Sequence, residues 1–166
     1  MNVSKFSVPI TERYFEDYQP GSVYEFGTIS VSQDEIIQFA RQFDPQYFHT
    51  DPERAASGPF GGLIASGWHT ASLMMRLYAD HYLSTVASLG SPGVDELRWL
   101  RPVRPGDRLS MRATIVEAKR SRSKPDRGMI RTLVEVLNQD GQAVMSVIAM
   151  TLLLSRTPQP PAEKTL

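Results

Sequence analysis

The chain contains no cysteine. That excludes disulfides, thiolate metal sites and a cysteine nucleophile, and it leaves the compartment unassigned by redox chemistry. Histidine is scarce: His49, His69 and His81 are the only three. They lie too far apart for a convincing zinc spacing, so no metal is expected. Net charge is absent too, with 18 basic residues against 18 acidic ones. Such balance argues against broad electrostatic binding to nucleic acid or to a membrane surface. No uncharged apolar run reaches the length of a membrane span. The start, Met1-Asn2-Val3-Ser4-Lys5-Phe6, lacks the apolar core of a secretory leader. The expectation is a soluble cytoplasmic protein. No internal repeat is visible.

What remains is an ordinary globular composition. The 166 residues, 41% of them hydrophobic, fit one domain with a proper core. Ser22 to Ser30 alternates as a short strand. Ser32-Gln33-Asp34-Glu35 forms a capping box ahead of Ile36, Ile37, Phe39 and Ala40, the buried stripe of a helix ending near Phe43. Asp51-Pro52 starts a second, short helix stopped by Gly58 and Pro59. Leu63 to Tyr82 is the longest helical stretch, apolar almost all round until Arg76, and reads as a buried central helix. The second half changes character. Asp95–Val103, Arg108–Ala118, Met129–Leu137 and Val144–Leu154 are strand-like and are separated by Pro and Gly turns. With no helix between them they should pair antiparallel. The fold class is α+β, one long helix against an antiparallel sheet. Residues 1–14 read as an N-terminal arm, 15–155 as a single domain, and the proline-rich 156–166 as a flexible tail.

Chemistry concentrates in Asp44-Pro45-Gln46-Tyr47-Phe48-His49. Pro45 biases Asp44 out of the helical conformation. A carboxylate and an imidazole facing one cavity can exchange protons with a substrate near neutral pH. The bland alternative is a turn-capping Asp and a hydrogen-bonded His. Further on, Gly61-Gly62-Leu63-Ile64-Ala65-Ser66-Gly67 leads into the long helix. Bare N–H groups at a helix start favour a developing negative charge. Gly67 could equally serve close packing alone, and Ser66 could simply satisfy the helix N-terminus. His69 and His81 read as solvated or core histidines. Lys119, Arg120, Arg122, Lys124, Arg127 and Arg131 surround one hairpin turn. They are either a solvated loop or a landing site for phosphates. Trp68, Leu73, Met74 and Met75 read as helix core.

Several of these segments together resemble the MaoC-like acyl dehydratases, or (R)-specific enoyl-CoA hydratases, of the hotdog fold. The resemblance spans about Phe15 to Leu154. It is carried by Phe15-Glu16-Asp17 with Pro20-Gly21, Phe39-Ala40, Asp44 and His49, Asp51 with Ala55, Gly62 to Gly67, and Arg101-Pro102-Val103-Arg104-Pro105-Gly106-Asp107. There are departures. Phe43 stands where the family usually has Gly. The family core D-x-N-P-x-H has Gln46 for Asn and Tyr47 for Pro. Ser66 replaces a common His, and Met75 replaces a supporting Ser on the helix.

The resemblance implies a homodimer, or a higher homo-oligomer, with an acyl-CoA tunnel at or near the subunit interface. It implies reversible addition of water to trans-2-enoyl-CoA thioesters. Asp44 and His49 would share the water. The Gly67 N–H would bind the thioester oxygen, with Ser66, Ile64 and Ala65 beside the substrate. No cofactor is called for beyond the CoA thioester itself. Two other functions stay open: a hotdog acyl-CoA thioesterase, and a catalytically silent protein that binds acyl-CoA or a partner.

Overall fold

The computed structural model describes residues 3–158. Besides a 3₁₀ turn at Phe15–Asp17, these residues form four α-helices and five strands: β1 (Val23–Ser30), α1 (Gln33–Phe43), α2 (Tyr47–Thr50), α3 (Pro52–Ala56), α4 (Gly67–His81), β2 (Val94–Trp99), β3 (Arg108–Arg120), β4 (Arg127–Leu137) and β5 (Ala143–Leu154). The architecture is α+β. All strand pairs are antiparallel, in the order β1-β3-β4-β5-β2. Burial alternates along β4 and β5 as a sheet with one core face requires. Leu109, Met111, Ile115, Ile130, Val134, Met145 and Leu153 line that face, almost fully removed from solvent.

The capping box on α1 forms as its residues require. The Ser32 hydroxyl accepts from Glu35 N–H (3.2 Å), and the Glu35 carboxylate accepts from Ser32 N–H (2.9 Å). Ile36 and Ala40 are the residues it buries. Asp44 N–H closes the last turn on Ala40 O (2.8 Å), and Asp44 itself sits at φ −152°, outside the helix. Asp51 caps α3 through Arg54 N–H (3.0 Å). The short α2 has no signal of its own in the sequence.

Two expected boundaries move. The long helix begins at Gly67, not Leu63. The chain from Leu63 to Ser66 is instead irregular, Ile64 N–H donating to Phe48 O (3.1 Å) and Ala65 N–H to Val103 O (2.8 Å). Nor is α4 covered all round: Met74, Leu77 and Tyr78 are buried, whereas Trp68 is 57% and Met75 46% exposed. Apolar composition signals that a helix seeks cover, but not which neighbour supplies it on each face. Strand β2 ends at Trp99, because Leu100 and Arg101 N–H both turn onto Val144 O.

Phe6 and Arg13, ahead of the first strand, are tied to the body. Phe6 stacks on Tyr24 (4.0 Å between centroids), and the Arg13 guanidinium lies 3.7 Å over the Phe6 ring. Arg13 Nη1 donates to His81 O (2.8 Å) and Tyr82 O (3.2 Å), satisfying carbonyls at the end of α4. At the other end, Arg156 grips Asp17 (2.7 Å); the rest of the tail, from 159, lies outside the described residues. Gly27 sits in a bulge of β1 at φ +64°, where a Cβ would come within 2.6 Å of Leu77 on α4. This close approach lets the helix lie on the sheet. Among the described residues, no helix is long and apolar enough to cross a membrane.

Candidate active site

A cavity of about 450 Å³ opens where α2, the start of α4 and the segment after β2 meet. Asp44, His49, Ile64, Ala65 and Gly67 line it. Residues separated by up to 23 positions in sequence thus share one wall. Asp44 is delivered by the chain leaving α1, and His49 by α2, which turns its ring inward.

His49 is 5% exposed, and its Nδ1 lies 2.7 Å from Ile64 O. A carbonyl only accepts, so Nδ1 carries the hydrogen. In the neutral ring Nε2 is then an acceptor, 3.4 Å from Asp44 Oδ2. Two acceptors face each other, an arrangement completed by a proton or by a water donating to both.

Asp44 is held on both oxygens. The Ser66 hydroxyl donates to Oδ2 (2.6 Å) and Gln46 Nε2 to Oδ1 (2.8 Å). Partial burial works to raise the Asp44 pKa. The Ser66 and Gln46 hydrogen bonds and nearby His49 outweigh it, and the carboxyl stays below its ordinary value. Ser66 does two jobs: its oxygen also accepts from Trp68 N–H (3.3 Å), capping α4. Gln46, a departure from the family pattern, is thus an Asp44 partner. Sequence spacing offered no sign of that, beyond its being two residues away.

Gly67 is the first residue of α4, and its N–H has no acceptor within the helix. The Trp99 indole covers its α-carbon so closely that any Cβ would collide with the ring. The N–H groups of Ile64 and Ala65 are spent on Phe48 O and Val103 O, so these two residues meet the cavity through their side chains and, for Ile64, orient His49. The opposite wall is aromatic and open. Trp68 and Trp99 meet edge to face at 5.2 Å, followed by Leu100 and Arg101. None of these was singled out as a site residue from sequence, and for Arg101 to Val103 the available signal was the Pro-Val-x-x-Gly-Asp turn. Asp107 closes that turn by accepting from Arg104 N–H (2.8 Å).

Other polar candidates lie elsewhere. In the hairpin cluster, Lys119 pairs with Glu117, Arg120 with Glu16, Arg127 with Asp126 and Arg131 with Asp95. None of the cluster lines the cavity. Met75 also stands outside the lining. His69 is buried and stacked on Phe39 (4.7 Å), and its Nδ1 has no partner among the described residues. Burial pushes its pKa down, and Glu35 opposes this weakly. His81 stacks on Phe26 (5.9 Å). Among the described residues no three His, Asp or Glu converge as metal ligands.

Comparison with known proteins places this geometry. Residues 16–137 match the MaoC like domain family. The chain is 32% identical over 127 residues to 3-hydroxyacyl-thioester dehydratase Z of Mycobacterium tuberculosis, covering 75% of this chain and 82% of that protein. It is 36% identical over 157 residues to mesaconyl-CoA hydratase of Cereibacter sphaeroides, covering 90% of this chain but 43% of that protein. The crystal structure of a MaoC-like dehydratase from Rhodospirillum rubrum superposes with a TM-score of 0.81 at 37% identity, over 87% of this chain and 99% of the other. The fold is the hotdog fold.

Proposed function

The chain belongs to the MaoC-like dehydratase family, and from that premise we propose that it adds water reversibly to trans-2-enoyl-CoA thioesters, giving 3-hydroxyacyl-CoA. The observation that carries this is the facing pair: His49 Nε2 3.4 Å from Asp44 Oδ2 on the wall of a cavity that also holds the start of α4.

In hydration, a water donates one hydrogen to Asp44 and the other to His49 Nε2, leaving its lone pairs for Cβ. As the oxygen bonds to Cβ, a water proton passes to the dyad, and a proton is returned to Cα. The C=C π bond breaks and one C–O and one C–H bond form, so atoms balance as one added water. Negative charge gathers on the thioester oxygen, which the Gly67 N–H meets. One such donor is worth about 3–4 kcal/mol at the transition state. A positioned acid–base group contributes about 10²–10⁴-fold. Ser66 and Gln46 keep Asp44 ionised and still, which favours its role as acceptor. Ile64 O fixes the His49 tautomer. This chemistry asks for no metal or redox group.

We further propose a homodimer. Strand β2 is an edge of the sheet, and Val94, Trp99, Leu100 and Trp68 are exposed along and beside it. A second copy would cover apolar side chains that a lone chain leaves in water.

The decisive assay is the loss of conjugated-thioester ultraviolet absorbance with crotonyl-CoA and longer or branched trans-2-enoyl-CoAs. Loss with the wild type and not with Asp44→Asn is the expected result. Equal rates in both would refute the dyad, and release of free CoA from saturated acyl-CoA would make the protein a thioesterase.

A further inference from the structure

One charged group of the cavity has no part in the proposed chemistry. Arg101 lies on the open wall. Its Nη1 donates to Ala143 O at 2.7 Å, which pins one corner of the guanidinium and leaves its remaining donors free. No carboxylate lies within 4.0 Å of it among the described residues.

Its neighbours behave the same way. Arg98 donates to Leu97 O (3.1 Å) and Arg104 to Phe60 O (2.6 Å), again without a carboxylate. The hairpin arginines make the contrast: Arg120, Arg127 and Arg131 each meet an acid at 2.8 Å. Four of the six hairpin cations thus meet an acid, whereas Arg98, Arg101 and Arg104 have no acid partner among the described residues. Asp44 is the sole acid of the lining, and it is already engaged by Ser66 and Gln46. A guanidinium held at one corner is suited to a planar oxyanion, which it meets through two parallel N–H donors.

Dimensions favour one oxyanion over the other. A cavity of about 450 Å³, if round, is about 10 Å across, near the lower end for small-ligand sites. The pantetheine arm of CoA places roughly thirteen bonds between sulfur and the first phosphorus. At peptide-like spacing that is about 15 Å extended. With the thioester at Gly67, the carrier phosphates fall beyond a cavity of this size. A carboxylate a few carbons along the acyl group falls within it.

We infer that Arg101 recognises a carboxylate on the acyl group, so that the preferred substrates are short unsaturated dicarboxylic acids bound as half-thioesters. This deepens the hydratase assignment and rests on it for the position of the thioester. Arg101 is a specificity-determining residue here, not a catalytic one.

The test is a binding measurement with unreactive saturated thioesters, so that it does not depend on turnover. Succinyl-CoA and butyryl-CoA differ by the terminal carboxylate. By calorimetry the wild type should bind succinyl-CoA at least about 10-fold more tightly, the low end for a charge-assisted pair. Arg101→Gln should bring the two affinities together, and Arg101→Lys should keep part of the preference. The inference is overturned if the wild type shows no preference, or if the preference survives in Arg101→Gln. It is also overturned if Arg101→Gln weakens both CoA thioesters equally while leaving the matching pantetheine thioesters unchanged. That last pattern would assign Arg101 to the carrier phosphate. A failed hydration assay beside a preserved succinyl preference would reject the chemistry and leave the anchor standing.

Discussion

The two walls of the cavity are built on different principles. On the dyad wall each polar side chain is held by another group: Asp44 by Ser66 and Gln46, His49 by Ile64 O, Ser66 by Trp68 N–H. On the facing wall, Trp68, Trp99 and Leu100 are 57%, 48% and 49% exposed and rest on edge contacts. The first wall is preorganised, as the proposed proton transfer demands, since a small displacement costs a large factor in rate. The second is exposed and apolar and is suited to recognising a ligand or a second copy. Gly67 and Trp99 are where the walls touch, and most ways of testing the contrast start there or at the dyad.

The largest expected effect is on the dyad wall. His49→Ala, like Asp44→Asn, should lower the hydration rate by about 10²–10⁴-fold, with a melting temperature near that of the wild type. A rate within a few-fold of wild type would deny the wall its chemistry. Next is the seam. Gly67→Ala drives a methyl into the Trp99 ring. It should cost about 1–3 kcal/mol of stability by overpacking and cut the hydration rate. In a Trp99→Ala background the same substitution should cost much less. An unchanged cost in the double-mutant cycle would mean the walls are not coupled.

Ser66→Ala separates capping from catalysis. Loss of the cap alone costs about 1 kcal/mol. Loss of the hydrogen bond to Asp44 lets the carboxyl pKa rise toward its ordinary value, so the acid limb of the rate profile should move to higher pH. The sign carries into stability. The folded Asp44 pKa lies below the unfolded one, so its contribution is present above the unfolded value and fades as pH falls. Ser66→Ala should shrink that loss. A lowered melting temperature with no shift in the acid limb would leave Ser66 a cap only.

The smallest effect concerns His69, behind the site. Its folded pKa is depressed below 6.5 by burial. The unfolded chain therefore binds the proton first, and stability should decline as pH falls below that value. Urea unfolding at two pH values should show a shallower decline for His69→Phe, which keeps the stack on Phe39. An identical slope would show that the imidazole is solvated.

Much of this was legible in the residues, and for a common reason. The Ser32–Glu35 box, the Asp51-Pro52 start, the turn-bounded strands and the departure of Asp44 from α1 all depend on groups a few positions apart. Local chemistry also led to Asp44, His49 and Gly67 as candidates. What misled was equally systematic. Leu63–Ser66 carries a helical pattern, yet its Ile64 and Ala65 N–H groups go to Phe48 O and Val103 O and it stays outside the helix. The hairpin cations read either as a solvated loop or as a phosphate site, and what their spacing did not reveal is that Glu16, Asp95 and Asp126 pair with three of them. Arg101 looked unremarkable until the cavity placed it beside the dyad.

By itself, then, the amino-acid order determined the α+β elements and their turns, and it named Asp44 and His49 as candidates for moving a proton. Only the tertiary structure decided that Ser66 joins Gln46 on Asp44, which nitrogen of His49 faces it, and which arginines meet no acid. Apart from neighbouring Gln46, those outcomes depend on partners distant along the chain, such as Ser66 for Asp44 and Ile64 for His49, brought together only by packing. Pairing across such distances is decided by which elements share a core, and a local pattern carries no record of that.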